Sequence, residues 1–322
     1  MPRLAVAGLG YMGATHLKAL EAIPGATLTA VISSDERKRN APEFAPIARY
    51  PDLESALSED TFDALDLCTP THLHENAAIR ALECGKHVLV EKPMALDSAA
   101  CDRMIEAARR NGRILMVAQV LRFHPAYNAL AKAMENPSLG RVRRATFRRR
   151  TGRPERSPWM SDPSKSGGGI LDLLIHDADM VLKLFGMPKE IAATGYSNLP
   201  KAVDLISAQC FYEDELVVEI LGGWHHASGF PFSMEYTVAA DGATLNYHSE
   251  MGPPKRYNPF SNAIFLPFTD QNAYASEIEY FLNCVESGSR PERCTPESSA
   301  EAVRLIGRML EARERNGERV SW

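Results

Sequence analysis

Leu4-Ala5-Val6-Ala7-Gly8-Leu9-Gly10-Tyr11-Met12-Gly13 is a short apolar run that ends in three glycines spaced G-x-G-x-x-G. The run has the length and composition of a buried strand, and Ala14 to Ile23 beyond it carries a helical pattern. The first glycine of such a turn allows the tight reversal, and the second lets backbone approach a pyrophosphate. The third lets helix and strand pack closely, while the helix N-terminus offers free N–H groups to an anion. Gly8, Gly10 and Gly13, with Tyr11 and Met12 between them, are therefore read as a dinucleotide cradle.

The pattern continues outward. Thr27–Ile32, Asp63–Cys68, His87–Val90 and Ile114–Ala118 read as strands, and Leu53–Leu57, Asn76–Glu83 and Ser98–Asn111 as helices. Alternation of this kind implies a parallel, doubly wound sheet with right-handed crossovers, a Rossmann domain over residues 1–121. Beyond Arg122 the texture changes. Helices are predicted over Pro125–Glu135 and Ile170–Phe185. Strands are predicted over Val142–Arg150, Glu190–Tyr196, Asp204–Tyr212, Leu216–Leu221, Phe232–Ala239 and Thr244–Tyr247, with turns at Glu213–Glu215 and Asp241–Gly242. Two helices, Ser276–Glu286 and Pro296–Arg315, close the chain. The fold class is α/β: the Rossmann domain plus an α+β domain over 122–322, built on a large, mostly antiparallel open sheet.

Composition narrows the function. A net charge of -5 argues against a nucleic-acid partner. Seven arginines between Arg141 and Arg153 form a local exception, read as an exposed strand or rim, with phosphate binding as the alternative. No apolar stretch is long enough for a membrane span, and no signal segment is read before Leu4. Six cysteines without a Cys-x-x-Cys pair fit a reducing cytoplasm. His72/His74 and His225/His226 lack companion ligands at metal spacing, so no metal is expected.

Ligands of open α/β sheets bind at the carboxyl edge of the strands. Three loops fall there: Thr69 and Pro70 with His72 and His74, then Glu91-Lys92-Pro93, then Gln119 with Arg122. All are read as cofactor contacts, and Lys92 additionally as a proton donor or alkoxide stabiliser. The end of the second strand chooses the cofactor. A carboxylate there binds the ribose of NAD, but this strand ends in Ser33-Ser34, followed by Arg37 and Lys38. NADP is favoured over NAD, with Asp35 taking the ribose as the alternative. Further on, Asp172 and His176 stand four apart on a helix most of whose remaining surface is apolar, and histidine titrates near neutrality.

The whole chain resembles the Gfo/Idh/MocA oxidoreductases, the family of glucose–fructose oxidoreductase and inositol dehydrogenase. The resemblance rests on Ala7–Gly13, on Cys68-Thr69-Pro70 with His72 and His74, and on Gly85–Pro93. It continues through Arg122-Phe123-His124-Pro125 and Gly167-Gly168-Gly169 to Asp172 and His176. It implies that Lys92, Asp172 and His176 form the catalytic trio and that the Lys92–Pro93 bond is cis. It also implies hydride transfer to a sugar, inositol or related diol, and a homodimer or homotetramer through the C-terminal sheet. Tyr127, Trp159 and Trp224 join the trio as expected substrate contacts. A glycosidase using NAD transiently and a non-catalytic NADP-sensing regulator are the alternatives on the same scaffold.

Overall fold

The computed structural model describes residues 1–152, 154, 157–198 and 203–322. Its chain divides into two compact units. The first comprises Met1–Phe123 with Asn272–Ala300, and the second His124–Gln271 with Glu301–Trp322. The domain boundary expected at 121/122 thus omits a returning segment, residues 272–300, from the first unit.

The first unit holds six parallel strands: β1 (Arg3–Ala7), β2 (Thr27–Ile32), β3 (Ala48–Tyr50), β4 (Ala64–Leu67), β5 (His87–Glu91) and β6 (Leu115–Ala118). Their spatial order is β3-β2-β1-β4-β5-β6, so the chain reverses direction across β1 and β4. Crossovers run through α1 (Tyr11–Leu20), α2 (Glu36–Arg39), α3 (Leu53–Leu57), α4 (His74–Glu83) and α5 (Ser98–Asn111). Helix α1 begins three residues earlier than its apolar pattern suggested, directly at the glycine turn. The strand Ala48–Tyr50 is only three residues long and carried no pattern to reveal it. The returning segment forms α9 (Ala273–Ser287), whose Ile278, Phe281 and Leu282 are buried in one core with Leu4, Val6, Val31 and Leu89. Amphipathicity announces such a helix but not which core receives its apolar face.

The second unit is built on nine strands: β7 (Val142–Gly152), β8 (Glu190–Asn198), β9 (Val203–Phe211), β10 (Val217–His226), β11 (Ser233–Ala240), β12 (Thr244–His248), β13 (Lys255–Tyr257), β14 (Ile264–Phe265) and β15 (Val320–Ser321). Their order is β14-β13-β12-β11-β7-β10-β9-β8-β15, antiparallel except for β7 beside β10. The turns at Glu213–Glu215 and Asp241–Gly242 join β9 to β10 and β11 to β12. The helices before α9 are α6 (Pro125–Met134), α7 (Pro163–Ser166) and α8 (Gly168–Phe185), and α10 (Pro296–Glu314) follows it. Helix α8 packs on β7, β9 and β10. No helix among the described residues is long and apolar enough to cross a membrane.

The arginine-rich strand β7 resolves by its pleat. Arg141 pairs with Asp214, Arg143 with Asp241, Arg144 with Glu219, and Arg148 and Arg150 with Glu235. Arg149 alternates inward with Ala145 and Phe147 and is buried against Asp177. Each of these six has an acidic partner, which leaves the phosphate-binding alternative without support. Arg153 lies outside the described residues.

Candidate active site

In the first unit the glycine turn has the geometry its spacing implied. Gly8 sits at φ +92°, and a Cβ there would lie 2.5 Å from the Cys68 carbonyl oxygen. A Cβ on Gly13 would overlap the Gly8 oxygen, whereas Gly10 faces open space. The first and third glycines are thus required by the protein itself, and the second keeps room for something else. Tyr11, at the start of α1, is largely exposed.

Along the carboxyl edge the loops carry polar atoms without hydrogen-bond partners among the described residues: Thr69 Oγ1 and His72 Nδ1 after β4, and both amide atoms of Gln119 after β6, a side chain only 1% exposed. Leaving a buried donor or acceptor unmet costs about 1–3 kcal/mol. Orphaned atoms beside an open glycine cradle fit a dinucleotide.

Two expected cofactor contacts are engaged elsewhere. His74 is buried, with Nδ1 2.9 Å from the Pro93 oxygen and Nε2 2.8 Å from the Thr69 oxygen. Burial pushes its pKa down against the pull of the two carbonyls, and the ring sits between the Thr69 and Pro93 loops. Arg122 donates to the Arg293 carbonyl at 2.8 Å, and Arg293 donates back to that of Arg122. Both residues shape the edge from within.

At the end of β2, the Ser33 hydroxyl accepts the Asp35 N–H at 3.2 Å. The Asp35 carboxylate caps α2, accepting from Arg37 N at 3.1 Å and Lys38 N at 3.2 Å. Asp35 Oδ1 takes both capping bonds, and Asp35, Ser34, Arg37 and Lys38 are all exposed.

At the end of β5, Lys92 is half-buried and the Lys92–Pro93 bond is cis, as the resemblance implied. The Glu91 side chain folds back so that its Oε2 accepts the Lys92 N–H at 2.8 Å. Its Oε1 lies 3.0 Å from His16 Nε2, and His16 Nδ1 donates to Asp66 at 2.9 Å. This fully buried group escaped the sequence reading. Its one signal was Asp66, an acid inside a strand whose neighbours are all apolar, where parallel strands are normally unbroken. His16, Asp66 and Cys68 hold their donor atoms within 4.8 Å of one another, a set of metal-ligand type. The His16–Asp66 contact itself has hydrogen-bond length.

In the second unit, α8 shows a sharp contrast. From Gly168 to Val181 every residue is buried except Asp172 and His176, which share one face. The helix start is fixed from outside: Asp204 of β9 accepts the Ile170 N–H at 3.0 Å, and Gly169 lies against the Trp224 ring. Trp224 and Tyr127 are 1% and 0% exposed, and Arg149 donates to the Tyr127 hydroxyl at 3.3 Å. Neither presents a surface to substrate, contrary to expectation; they support α8 instead. Trp159 is half-exposed in the turn Pro158–Ser161.

A Rossmann unit with an open glycine cradle, joined to an open-sheet unit whose central helix displays one Asp/His face, defines the class of two-domain nucleotide-dependent oxidoreductases. Residues 2–119 match the model of the oxidoreductase family with an NAD-binding Rossmann fold, and residues 127–246 match the GFO/IDH/MocA C-terminal domain. The chain belongs to the Gfo/Idh/MocA family. The scyllo-inositol 2-dehydrogenase (NADP(+)) IolU of Bacillus subtilis is 33% identical over 215 residues, 63% of this chain and 64% of that protein. The chain thus spans just under two thirds of that relative's length. The inositol 2-dehydrogenase of Rhizobium meliloti is 26% identical over 300 residues, 89% of each chain. The fold is also that of the aldose-aldose oxidoreductase of Caulobacter crescentus, with a TM-score of 0.88 at 20% identity over 99% of each chain.

Proposed function

We propose that the protein is an NADP-preferring dehydrogenase or reductase acting on a CH–OH group of a sugar, inositol or related diol. The observation that carries the reading is the α8 face, where Asp172 and His176 alone break a buried surface. Acid–base side chains gathered on the one accessible face of an otherwise buried helix are the arrangement expected where a helix lines a ligand site. The orphaned Thr69, His72 and Gln119 atoms and the open face of Gly10 support a dinucleotide on the first unit. Ser33 and Ser34 at the strand end, with the exposed Arg37 and Lys38 beside them, support a 2'-phosphate over a bare ribose.

When bound, the nicotinamide supplies the hydride acceptor or donor. His176 accepts the proton of the hydroxyl whose carbon is oxidised and returns it in reduction. Lys92 donates to that oxygen and stabilises its developing charge. Asp172 accepts from neighbouring substrate hydroxyls and orients them. Proton transfer and charge stabilisation each contribute about 10²–10⁴-fold in rate. Trp159 is the remaining candidate for stacking on a sugar ring. The relatives named as inositol dehydrogenases support a polyol over an acyclic alcohol, and assembly through the open sheet of the second unit belongs to the same reading.

The test is nicotinamide absorbance followed with both cofactors against aldoses, inositols and 1,2-diols. Stoichiometric formation of NADPH with one or more of these, faster than of NADH, is expected. Substrate consumption with no net absorbance change would replace the reading with a redox-neutral reaction such as glycoside cleavage.

A further inference from the structure

His16 is fully buried in the first unit among three carboxyl groups from three separate elements. Asp66 of β4 lies 2.9 Å from its Nδ1. Glu91 at the end of β5 lies 3.0 Å from its Nε2, and Glu277 of α9 stands 4.0 Å from the same nitrogen. Cys68 Sγ lies 3.4 Å from Nδ1, and the Tyr274 ring packs beside the imidazole. A neutral imidazole can donate from one nitrogen only, whereas this ring faces a carboxylate from each. Burial opposes its charge most strongly, but Asp66 and Cys68 together outweigh burial and raise the His16 pKa well above its ordinary value. Burial pushes the Glu277 pKa well above the usual carboxylate range. A core of this size could be filled with apolar side chains at no loss of stability, since burying an ion pair is rarely favourable by itself. The placement of the charges supplies a reason. Glu91 Oε2 accepts the Lys92 N–H at 2.8 Å, so the chain Asp66–His16–Glu91 ends on the backbone of Lys92.

We propose that His16 is a positioning residue for Lys92: anchored by Asp66, it locks the Glu91 carboxylate in the rotamer that holds the Lys92 amide, and so fixes where the Lys92 side chain departs from the sheet edge. The inference rests on the reading of Lys92 as the group that stabilises the reacting oxygen. His16 donates from Nδ1 to Asp66, and its Nε2 edge faces the Glu91 carboxylate at 3.0 Å as a charge contact. A glutamine at position 16 offers one amide group, cannot satisfy Asp66 and Glu91 together, and leaves Glu91 free to leave its rotamer.

The experiment follows the Lys92 amide by NMR in protein labelled with ¹⁵N-lysine, the resonance being assigned by its loss in Lys92→Arg. In His16→Gln, amide exchange at Lys92 should accelerate about 10- to 100-fold, the value of a charge-assisted hydrogen bond, while lysines on other elements keep their rates. Glu91→Gln, which preserves the side-chain shape, should do the same if His16→Gln does not fold. Unchanged Lys92 exchange in either folded variant overturns the proposal. The second readout is turnover with a substrate from the panel above. His16→Gln should lower kcat about tenfold or more with the NADPH dissociation constant unchanged, and should cause no further loss when added to Lys92→Ala. An equal loss in both backgrounds shows a merely structural histidine and overturns the inference. Full activity in Lys92→Ala itself would instead overturn the role assigned to the lysine.

Discussion

Replacing Arg149 with methionine tests how α8 is held. The guanidinium donates from Nε to Asp177 at 2.8 Å, and from Nη2 to Asp177 at 3.2 Å and to the Tyr127 hydroxyl at 3.3 Å. The two charged side chains are 3% and 0% exposed. Methionine fills most of the same volume but leaves the Asp177 carboxylate buried without a counter-charge, beside His176. Breaking a buried pair in this way costs about 3–5 kcal/mol. At about 2–4 °C per kcal/mol for a unit of ordinary size, the Tm should fall by roughly 6–20 °C. The sign of the pH dependence follows from Asp177. Burial raises its pKa, against the pull of Arg149, and removal of the arginine raises it further. A carboxyl with a raised folded pKa loses stability as pH rises above its unfolded value, so the variant's deficit should be larger near pH 8 than near about pH 5. Arg149→Met/Asp177→Leu should recover at least half of the loss, because neither charge remains. Urea unfolding at the two pH values reads all three quantities. A deficit below about 1 kcal/mol, a deficit independent of pH, or a double variant no better than the single would refute the reasoning.

The glycine turn makes a paired prediction. Gly13→Ala should lower both Tm and NADPH affinity because its Cβ meets the Gly8 carbonyl, while Gly10→Ala, facing open space, should change stability by less than about 0.5 kcal/mol yet weaken NADPH binding. Differential scanning fluorimetry and NADPH fluorescence titration check the pair. Ser33→Asp should reverse the preference between NADP and NAD by at least about tenfold, about 1.4 kcal/mol, in titrations of each cofactor. The His16 cluster should make the protein labile to alkali. His16 and Glu277 both have folded pKa values above their unfolded ones, and they face Asp66, Cys68, Glu91 and Tyr274. Their stabilising contribution is therefore lost as pH rises through those values, by up to about 1.4 kcal/mol per pH unit for each proton, and His16→Gln should flatten this slope in denaturant titrations.

How far the sequence reached differs by element. The glycine turn, the Glu91-Lys92-Pro93 edge and the Asp172/His176 spacing were legible because each couples a local motif to a fixed periodicity. The placement of α9 in the first unit was not, since its apolar face fits either core. The pleat of β7 placed Arg149 on the same face as Ala145 and Phe147, yet the arginine run around it masked that alternation. His74, Arg122, Tyr127 and Trp224 sit close to the right loops and strands, but their partners lie far along the chain or on carbonyls that no side-chain pattern reveals. The His16 cluster draws on α1, β4, β5 and α9, and only the solitary Asp66 in an apolar strand hinted at it.

The most direct test of the account is the rate of nicotinamide reduction in the wild type, His176→Ala and Lys92→Ala under identical conditions, with cofactor affinity measured alongside. Each substitution should lower kcat by about 10²-fold or more and leave the NADPH dissociation constant within a few-fold, and the double variant should lose less than the product of the two. A folded His176→Ala enzyme that reduces the nicotinamide at the wild-type rate would contradict the assignment of hydride-transfer chemistry to this site.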